Sequence, residues 1–402
     1  MSAAAAAAPD TLPPPFIQAN QHIYRDYFRE EFTQALDDNI LGLLDRVWFR
    51  SRLVGFEPWP QRNNPHRPLI FASNHSGMAF PWDAIISLSH LWRYLLRTRG
   101  HLRDLPRPLS APMLSATKLM NPYLITDFWK KCGSVDATTL NFETMMYYQE
   151  HNLMLYPEGV PGIGKGFNRK YQLQRLATSM LRMSVLHGTD IIPFYTINAE
   201  YLNPYAYSFE WINRLTKRIG IPFLPLTLLL LLVIVQPWAF YLALPAQLTY
   251  VMGTRIRPTE LTTKKHDELS RDELLALSEQ IRQRMQVEMD AAVAAHGQHP
   301  YRWRELWQRM QENRRFFPFF LPFAWPAVFT EFERRFVKNG ERGFDLHLDR
   351  PGTFWRMLWR NPLVLAYFVP VLGWIPLAIK GYRDNKLARL RKRQRPPDTG
   401  HA

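Results

Sequence analysis

Cysteine is almost absent: Cys132 is the single one in 402 residues. An internal disulfide is excluded, so the fold must rest on core packing, and 402 residues are enough for a sizeable core. A lone thiol with no histidine beside it in sequence reads as a buried structural group rather than an acyl relay. Acidic side chains are also scarce, 35 Asp plus Glu against 50 Lys plus Arg, a net charge of +15. That balance points to a polyanionic surface, either nucleic acid or anionic lipid headgroups. The opening stretch MSAAAAAAPDTLPPPF lacks both a cationic start and a leucine-rich core. It does not read as a secretory signal, and residues 1–20 are expected to be a disordered leader. No repeat of solenoid period is present. Histidines such as His66, His90, His101 and His187 lack metal-ligand spacing, so no metal is expected.

What is abundant is aromatic and basic. Aromatics make up 14% of the chain, with 13 Trp, beside 32 Pro. From Pro300 onward there are 20 basic and 9 acidic side chains, so most of the charge excess lies in the last quarter. The same quarter carries FFPFFLPFAWPAVF from Phe316 and NPLVLAYFVPVLGWIPLAI from Asn361, the latter followed by KGYRDNKLARLRKRQR. An apolar run followed by clustered cations reads as membrane-associated, with the basic end cytoplasmic, and makes nucleic acid the weaker partner. A solvated basic tail after a buried core helix is the plainer alternative. A second apolar run, from Ile219 to Thr254, has no formal charge but is divided by Pro222, Pro225, Pro237 and Pro245. Segments 219–245 and 361–379 therefore read either as spans or as interfacial elements, with the interfacial reading preferred for the first.

Between these regions strands alternate with helices. Apolar residues recur at helical spacing over about 25 residues from Gln21. VWFRSRLVGFEPW and PLIFASN read as strands, and Trp82 to Leu96 and Thr138 to His151 as helices. NLMLY from Asn152 reads as a buried strand, Tyr171 to His187 as a helix closed by Gly188, and IIPFYTI from Ile191 as a strand. Ser270 to His296 has the pattern of an amphipathic helix. This order implies an α/β fold with a mostly parallel sheet flanked by helices, preceded by an N-terminal amphipathic helical segment and accompanied by membrane-associated apolar elements. Chemistry is then expected at strand ends.

Two constellations sit at such ends. The first is SNHSGMAFPWD, which puts His75 just after a strand and Asp83 on the first turn of the next helix. An imidazole there can accept a hydroxyl proton while a carboxylate orients it. The second is LYPEGVPGIGKGF. Gly159, Gly164 and Lys165 approach a phosphate-loop spacing, but Gly166 stands where the magnesium-binding hydroxyl belongs, which argues against a nucleotide triphosphatase. Glycines followed by Lys165, Arg169, Lys170 and Arg175 still suit a phosphate-bearing ligand.

NHSG with a following Asp, and YPEG some eighty residues later, resemble the phospholipid/glycerol acyltransferase superfamily over roughly residues 46–258. YPEGVPGIGKGFNRKYQLQRL is similar to its branch near the diacylglycerol-acyltransferase-like members. The resemblance implies that His75 is the general base and Asp83 its partner, and that Glu158 and Gly159 shape the acceptor pocket. Gly164, Lys165 and Arg169 join them as substrate-binding residues. It implies acyl-CoA or acyl carrier protein as co-substrate and no bound cofactor, membrane lipids as partners, and an active site on the cytoplasmic face. The domains expected are the leader, amphipathic helices and first strand at 21–57, an acyltransferase domain at 58–298 with hydrophobic insert 219–245, and a membrane-associated region at 299–402. Three departures from the pattern stand out. Seven residues rather than four separate His75 from Asp83, Val160-Pro161 follows the PEG block where an Arg is customary, and Cys132-Gly133-Ser134-Val135-Asp136 has no Arg. The last two favour a less charged acceptor than lysophosphatidate. A lipid-binding or membrane-tethering protein of the same fold without catalysis is the reading from another class.

Overall fold

The computed structural model describes residues 13–24, 27–76, 80–116, 118–207, 211 and 227–381. The basic tail beyond 381, residues 1–12 of the leader and residues 219–226 of the apolar insert lie outside that range, as do Gly77, Met78 and Ala79.

Seven strands form one sheet in the order β1-β7-β6-β2-β5-β3-β4. They are β1 (Arg52–Val54), β2 (Ile70–Ser73), β3 (Pro106–Ser110), β4 (Val135–Asp136), β5 (Asn152–Leu155), β6 (Ile191–Ile197) and β7 (Thr249–Met252). All neighbouring pairs are parallel except β6 with β7. The expected α/β class with a mostly parallel sheet is thus observed. Strand β2 is central, with Ile70 paired to both Leu153 of β5 and Ile191 of β6. Strands β2, β5 and β6 are buried along their whole length, as runs such as IFAS and NLML require of strands covered on both faces.

Alternate residues feed two cores. Phe71, Met154, Ile192 and Phe194 point into one, and Ile70, Leu153, Ile191 and Tyr195 into the other, as the two-residue strand period demands. The first core is roofed by α1 (residues 30–49) and α2 (Trp82–Arg99), the second by α3 (Thr139–Tyr147), α5 (Thr178–His187) and α7 (Arg271–His296). Helix α4 is the five-residue turn Gly159–Ile163 after β5. Helix α6 spans Leu228–Val235, and α8 to α11 are Trp303–Glu312, Trp325–Lys338, Thr353–Arg360 and Trp374–Gly381.

Several elements differ from their expected bounds. Val47 to Phe49 finish α1 instead of opening a strand, because their side chains are buried as a continuation of its apolar face. Residues 171–177 are not helical, and α5 starts only at Thr178, since Tyr171 adopts a left-handed φ of 60° and the Ala177 N–H is taken by the Pro157 carbonyl. Strand β3 carries Pro106 and Pro108 yet pairs with β5, which two prolines permit only if the N–H groups they lack face away from the paired strand. Residues 299–402 do not form a region apart, as far as they are described. Trp325 of α9 is fully buried, 4.9 Å from Trp82, and Phe332 and Phe336 sit 5.4 and 5.2 Å from Phe32. No helix among the described residues is long and apolar enough to cross a membrane. The run 361–379 breaks into a 3-10 turn at Pro362–Phe368 and the short α11, because Pro370 and Gly373 interrupt it.

Candidate active site

Three adjacent parallel strands, β5, β2 and β6, deliver Glu158, His75 and Glu200 to one end of the sheet, the carboxyl end where α/β proteins bind ligands. The first fixing device is Asn74. Its carbonyl oxygen accepts the Thr196 N–H at 2.8 Å and its amide donates to the Thr196 carbonyl at 3.2 Å, so the side chain continues the β2 to β6 ladder where the backbone leaves it. Ser73 and Thr196 hydroxyls meet at 3.2 Å beneath it.

His75 follows on that anchored backbone. Its N–H donates to Glu158 Oε1 at 2.8 Å, and the Gln174 N–H donates to Glu158 Oε2 at 2.7 Å. Glu158 therefore uses both oxygens to join the β2 loop to the segment after α4. The His75 ring lies on the Tyr156 ring, centroids 4.7 Å apart at 24°. Burial, then the nearby Lys165 charge, pushes the imidazole down to about 3, so it is neutral at physiological pH. Tyr156 remains a neutral phenol, raised first by burial and further by the Asp83 charge.

Gly162 is the close-packed point of the loop. A Cβ there would lie 2.5 Å from Glu158 Cβ and 3.0 Å from His75 Cβ, so no larger residue fits while those two keep their places. Gly159 has a φ of 58°, the left-handed region that glycine enters without strain. Gly164 closes α4 with ordinary helical angles.

Lys165 turns inward. Its ammonium is buried, 3.7 Å from Glu158 Oε2 and 4.0 Å from Glu200 Oε1, and donates to the Gln172 carbonyl at 3.3 Å. This corrects the expectation of a phosphate-facing cation, because the ammonium is buried between two carboxyl groups of the protein itself. Arg169 and Arg175, by contrast, are exposed on the same loop. Glu200 accepts the Tyr171 N–H at 3.1 Å through Oε1, while its buried Oε2 has no hydrogen-bond partner. Burial raises its carboxyl to about 7, against the lowering pull of Lys165. The Tyr171 hydroxyl donates to Asn198 Oδ1 at 3.0 Å, which fixes the turn from β6 into Glu200.

Asp83 is buried on the first turn of α2, where a carboxylate complements the helix N-terminus. Burial raises its carboxyl, opposed by the Ser76 hydroxyl and the α2 backbone. Its charge is felt by Tyr156, Tyr250 and Glu200. No hydrogen bond joins it to the His75 ring among the described residues, and the spacer between them includes Gly77 to Ala79. The structure thus brings together His75, Glu158, Gly159 and Lys165, puts Asp83 in the same electrostatic neighbourhood, and leaves Arg169 at the surface. Glu200, Asn74, Gly162 and Tyr171 were not singled out from sequence. Glu200 was accessible to the strand-end rule, since it stands just beyond IIPFYTI.

Among the described residues no group of three or more His, Cys, Asp or Glu is placed to hold a metal ion. Cys132 lies away from this end, and burial pushes its thiol up to about 12.

No family model matches the chain, and no solved structure matches it. It is similar to uncharacterized proteins of Mycobacterium tuberculosis and Mycobacterium bovis, each 24% identical over 201 residues, 50% of this chain and 51% of theirs. An uncharacterized protein of Mycobacterium leprae is 23% identical over 201 residues, 50% of each chain. The chain spans about half the length of the curated relatives it matches.

Proposed function

We propose that this protein is an O-acyltransferase that moves a fatty acyl group from a thioester, acyl-CoA or acyl carrier protein, to a hydroxyl of a glycerolipid at the cytoplasmic face of a membrane. His75 is the general base. Its neutral ring takes the acceptor proton as the hydroxyl oxygen attacks the thioester carbonyl; the C–S bond then breaks, and the imidazolium returns the proton to the departing thiolate. Backbone N–H groups at the strand ends are suited to the oxyanion. Asp83 is the carboxylate assigned to the imidazolium, and Glu158 and Gly159 shape the acceptor side. Arg169, exposed on the loop, is the cation assigned to meet a phosphate.

The observation that carries this reading is the Glu158 to His75 N–H bond, because it joins the NHSG and YPEG blocks into one site at the carboxyl ends of β2 and β5. His75 is unprotonated, the state from which a general base acts, while burial and the Lys165 charge leave it a weaker base than a free imidazole until a carboxylate such as Asp83 supports the imidazolium. A second reading, a lipid-binding protein without catalysis, is favoured by the lack of a hydrogen bond from the His75 ring to Asp83 among the described residues. One assay separates them: thiol release from acyl-CoA, measured against a panel of phosphorylated and neutral glycerolipid acceptors. His75→Ala is expected to abolish acceptor-dependent release while the melting curve stays near wild type. Full activity in that variant, or none in the wild type with any acceptor or donor, would overturn the proposal.

A further inference from the structure

Two apolar segments far apart in sequence meet at one surface. The Val371 N–H donates to the Val235 carbonyl at 2.9 Å, and the Trp374 indole N–H donates to the carbonyls of Val233 and Ile234 at 3.0 and 3.1 Å. Carbonyls in the last turn of a helix have no partner within the helix, and in water the solvent serves them. Here the residues around α11 serve three of those of α6, the arrangement required of a helix end that leaves water.

The outward side of the pair is apolar. Leu231 and Ile234 of α6, Val371 and Leu372, and Ile375 and Ile379 of α11 are each 53–65% exposed. In α11 apolar side chains lie on both sides, Leu377 inward and Ile375 and Ile379 outward, where a water-facing helix would carry polar residues. Helix α10, joined to α11 through the 362–368 turn, turns Trp355 and Trp359 outward, the latter 89% exposed, beside Arg356 and Arg360. Between Asp349 and Asp384 the chain has no acidic residue, whereas Arg350, Arg356, Arg360, Lys380 and Arg383 are basic. Residues 227–254 carry no charge at all. An apolar face edged by Trp and Arg, without carboxylates, complements an anionic bilayer: aliphatic side chains enter the acyl region, and indole and guanidinium groups stay at headgroup depth.

The face also leads to the candidate site. Trp374 packs on Phe240 at 5.9 Å, Phe240 on Tyr241 at 4.9 Å, and Tyr241 on Phe80 at 5.0 Å. Phe80 stands five residues after His75.

We propose that α6 and α11, with α10 beside them, form a monotopic docking face for anionic phospholipid bilayers, which holds the His75 end of the sheet at headgroup level. This deepens the lipid-acceptor reading and rests on it for its purpose, but binding is measured without turnover. The test is flotation of the full chain with phosphatidylcholine vesicles and with vesicles also containing phosphatidylglycerol, at low salt and in salt high enough to screen the basic tail. Wild type is expected to float with both, more strongly with the anionic ones, and to remain bound in high salt. Ile375→Gln with Ile379→Gln, both surface positions, should keep the wild-type melt and weaken high-salt binding roughly tenfold or more. Arg356→Gln with Arg360→Gln should weaken the preference for anionic vesicles, the basic tail keeping the rest.

Unchanged high-salt flotation of the isoleucine variant would overturn the proposal, as would a wild type that floats with neither vesicle. So would a wild-type dimer that the isoleucine variant converts to monomer with vesicle binding intact, which would make the face a contact between copies. His75→Ala should bind vesicles as wild type does. Its lost turnover bears on the acyl-transfer reading alone, and lost flotation of the isoleucine variant on the docking face alone.

Discussion

Glu200 holds a carboxyl that burial raises to about 7 from its ordinary 4.5, with one oxygen unpartnered. The sign of its effect on stability follows from proton counting. Between about pH 4.5 and 7 the folded protein keeps a proton that the unfolded chain has released, so Glu200 lowers stability progressively as pH rises through that window. Below the window both states are protonated, and above it the penalty is constant, on the order of 3 kcal/mol at most. Glu200→Gln is always neutral and lacks this slope. Its melting temperature relative to wild type should therefore rise from pH 4.5 to 7 and level off beyond. A difference that stays flat across that range in paired thermal melts would mean Glu200 does not titrate there. Lys165 belongs with this residue. A cation in a glycine-rich loop reads as solvent-facing until its partner is known, and Glu200 comes from a different strand end.

At the scale of elements, the strand-to-loop transitions govern the site, and they explain what was legible beforehand. Strands β2, β5 and β6 are continuous apolar runs that stop at polar residues, so their ends, and hence His75 and Glu158, stood out directly. Strand β3 did not, because Pro106 and Pro108 are strand breakers by local rule and only the pairing with β5 overrides them. Helix α4 was hidden in a glycine-rich stretch, and with it the role of Gly162, which depends on how closely the His75 loop approaches. Gly162→Ala tests that approach. With Cβ positions 2.5 and 3.0 Å away on Glu158 and His75, α4 must shift, at a cost of roughly 1–3 kcal/mol, and drag Glu158 off the His75 N–H. Loss of both melting temperature and turnover is expected. Gly343→Ala, where a Cβ meets nothing within 4 Å and φ is not positive, should leave both unchanged. Normal turnover in Gly162→Ala would show that the loop can relax without disturbing the site.

At the scale of the molecule, the C-terminal quarter has two faces that composition alone merges. Its aromatic richness reads as membrane affinity, yet Trp325, Phe329 and Phe332 are fully buried in the core that also takes Phe32, Phe49 and Trp82. Large apolar side chains turned outward include Trp303 and Trp307 of α8 as well as those of α10 and α11. The Arg50 guanidinium ties the same layers together by donating to the carbonyls of Pro245 and Tyr301, both at 2.8 Å. A chain ending at residue 298 would uncover α1 and α2 along this contact. Loss of a buried Phe or Trp costs about 3–5 kcal/mol, so losing three exceeds or consumes a typical domain stability of about 5–15 kcal/mol. The truncated chain is expected to keep far-UV helical signal, lose near-UV signal and bind a hydrophobic dye, with no cooperative melt. A cooperative transition in residues 1–298 would instead mean that the sheet and its first two helices fold without α9, and that the aromatic layer serves something other than the core.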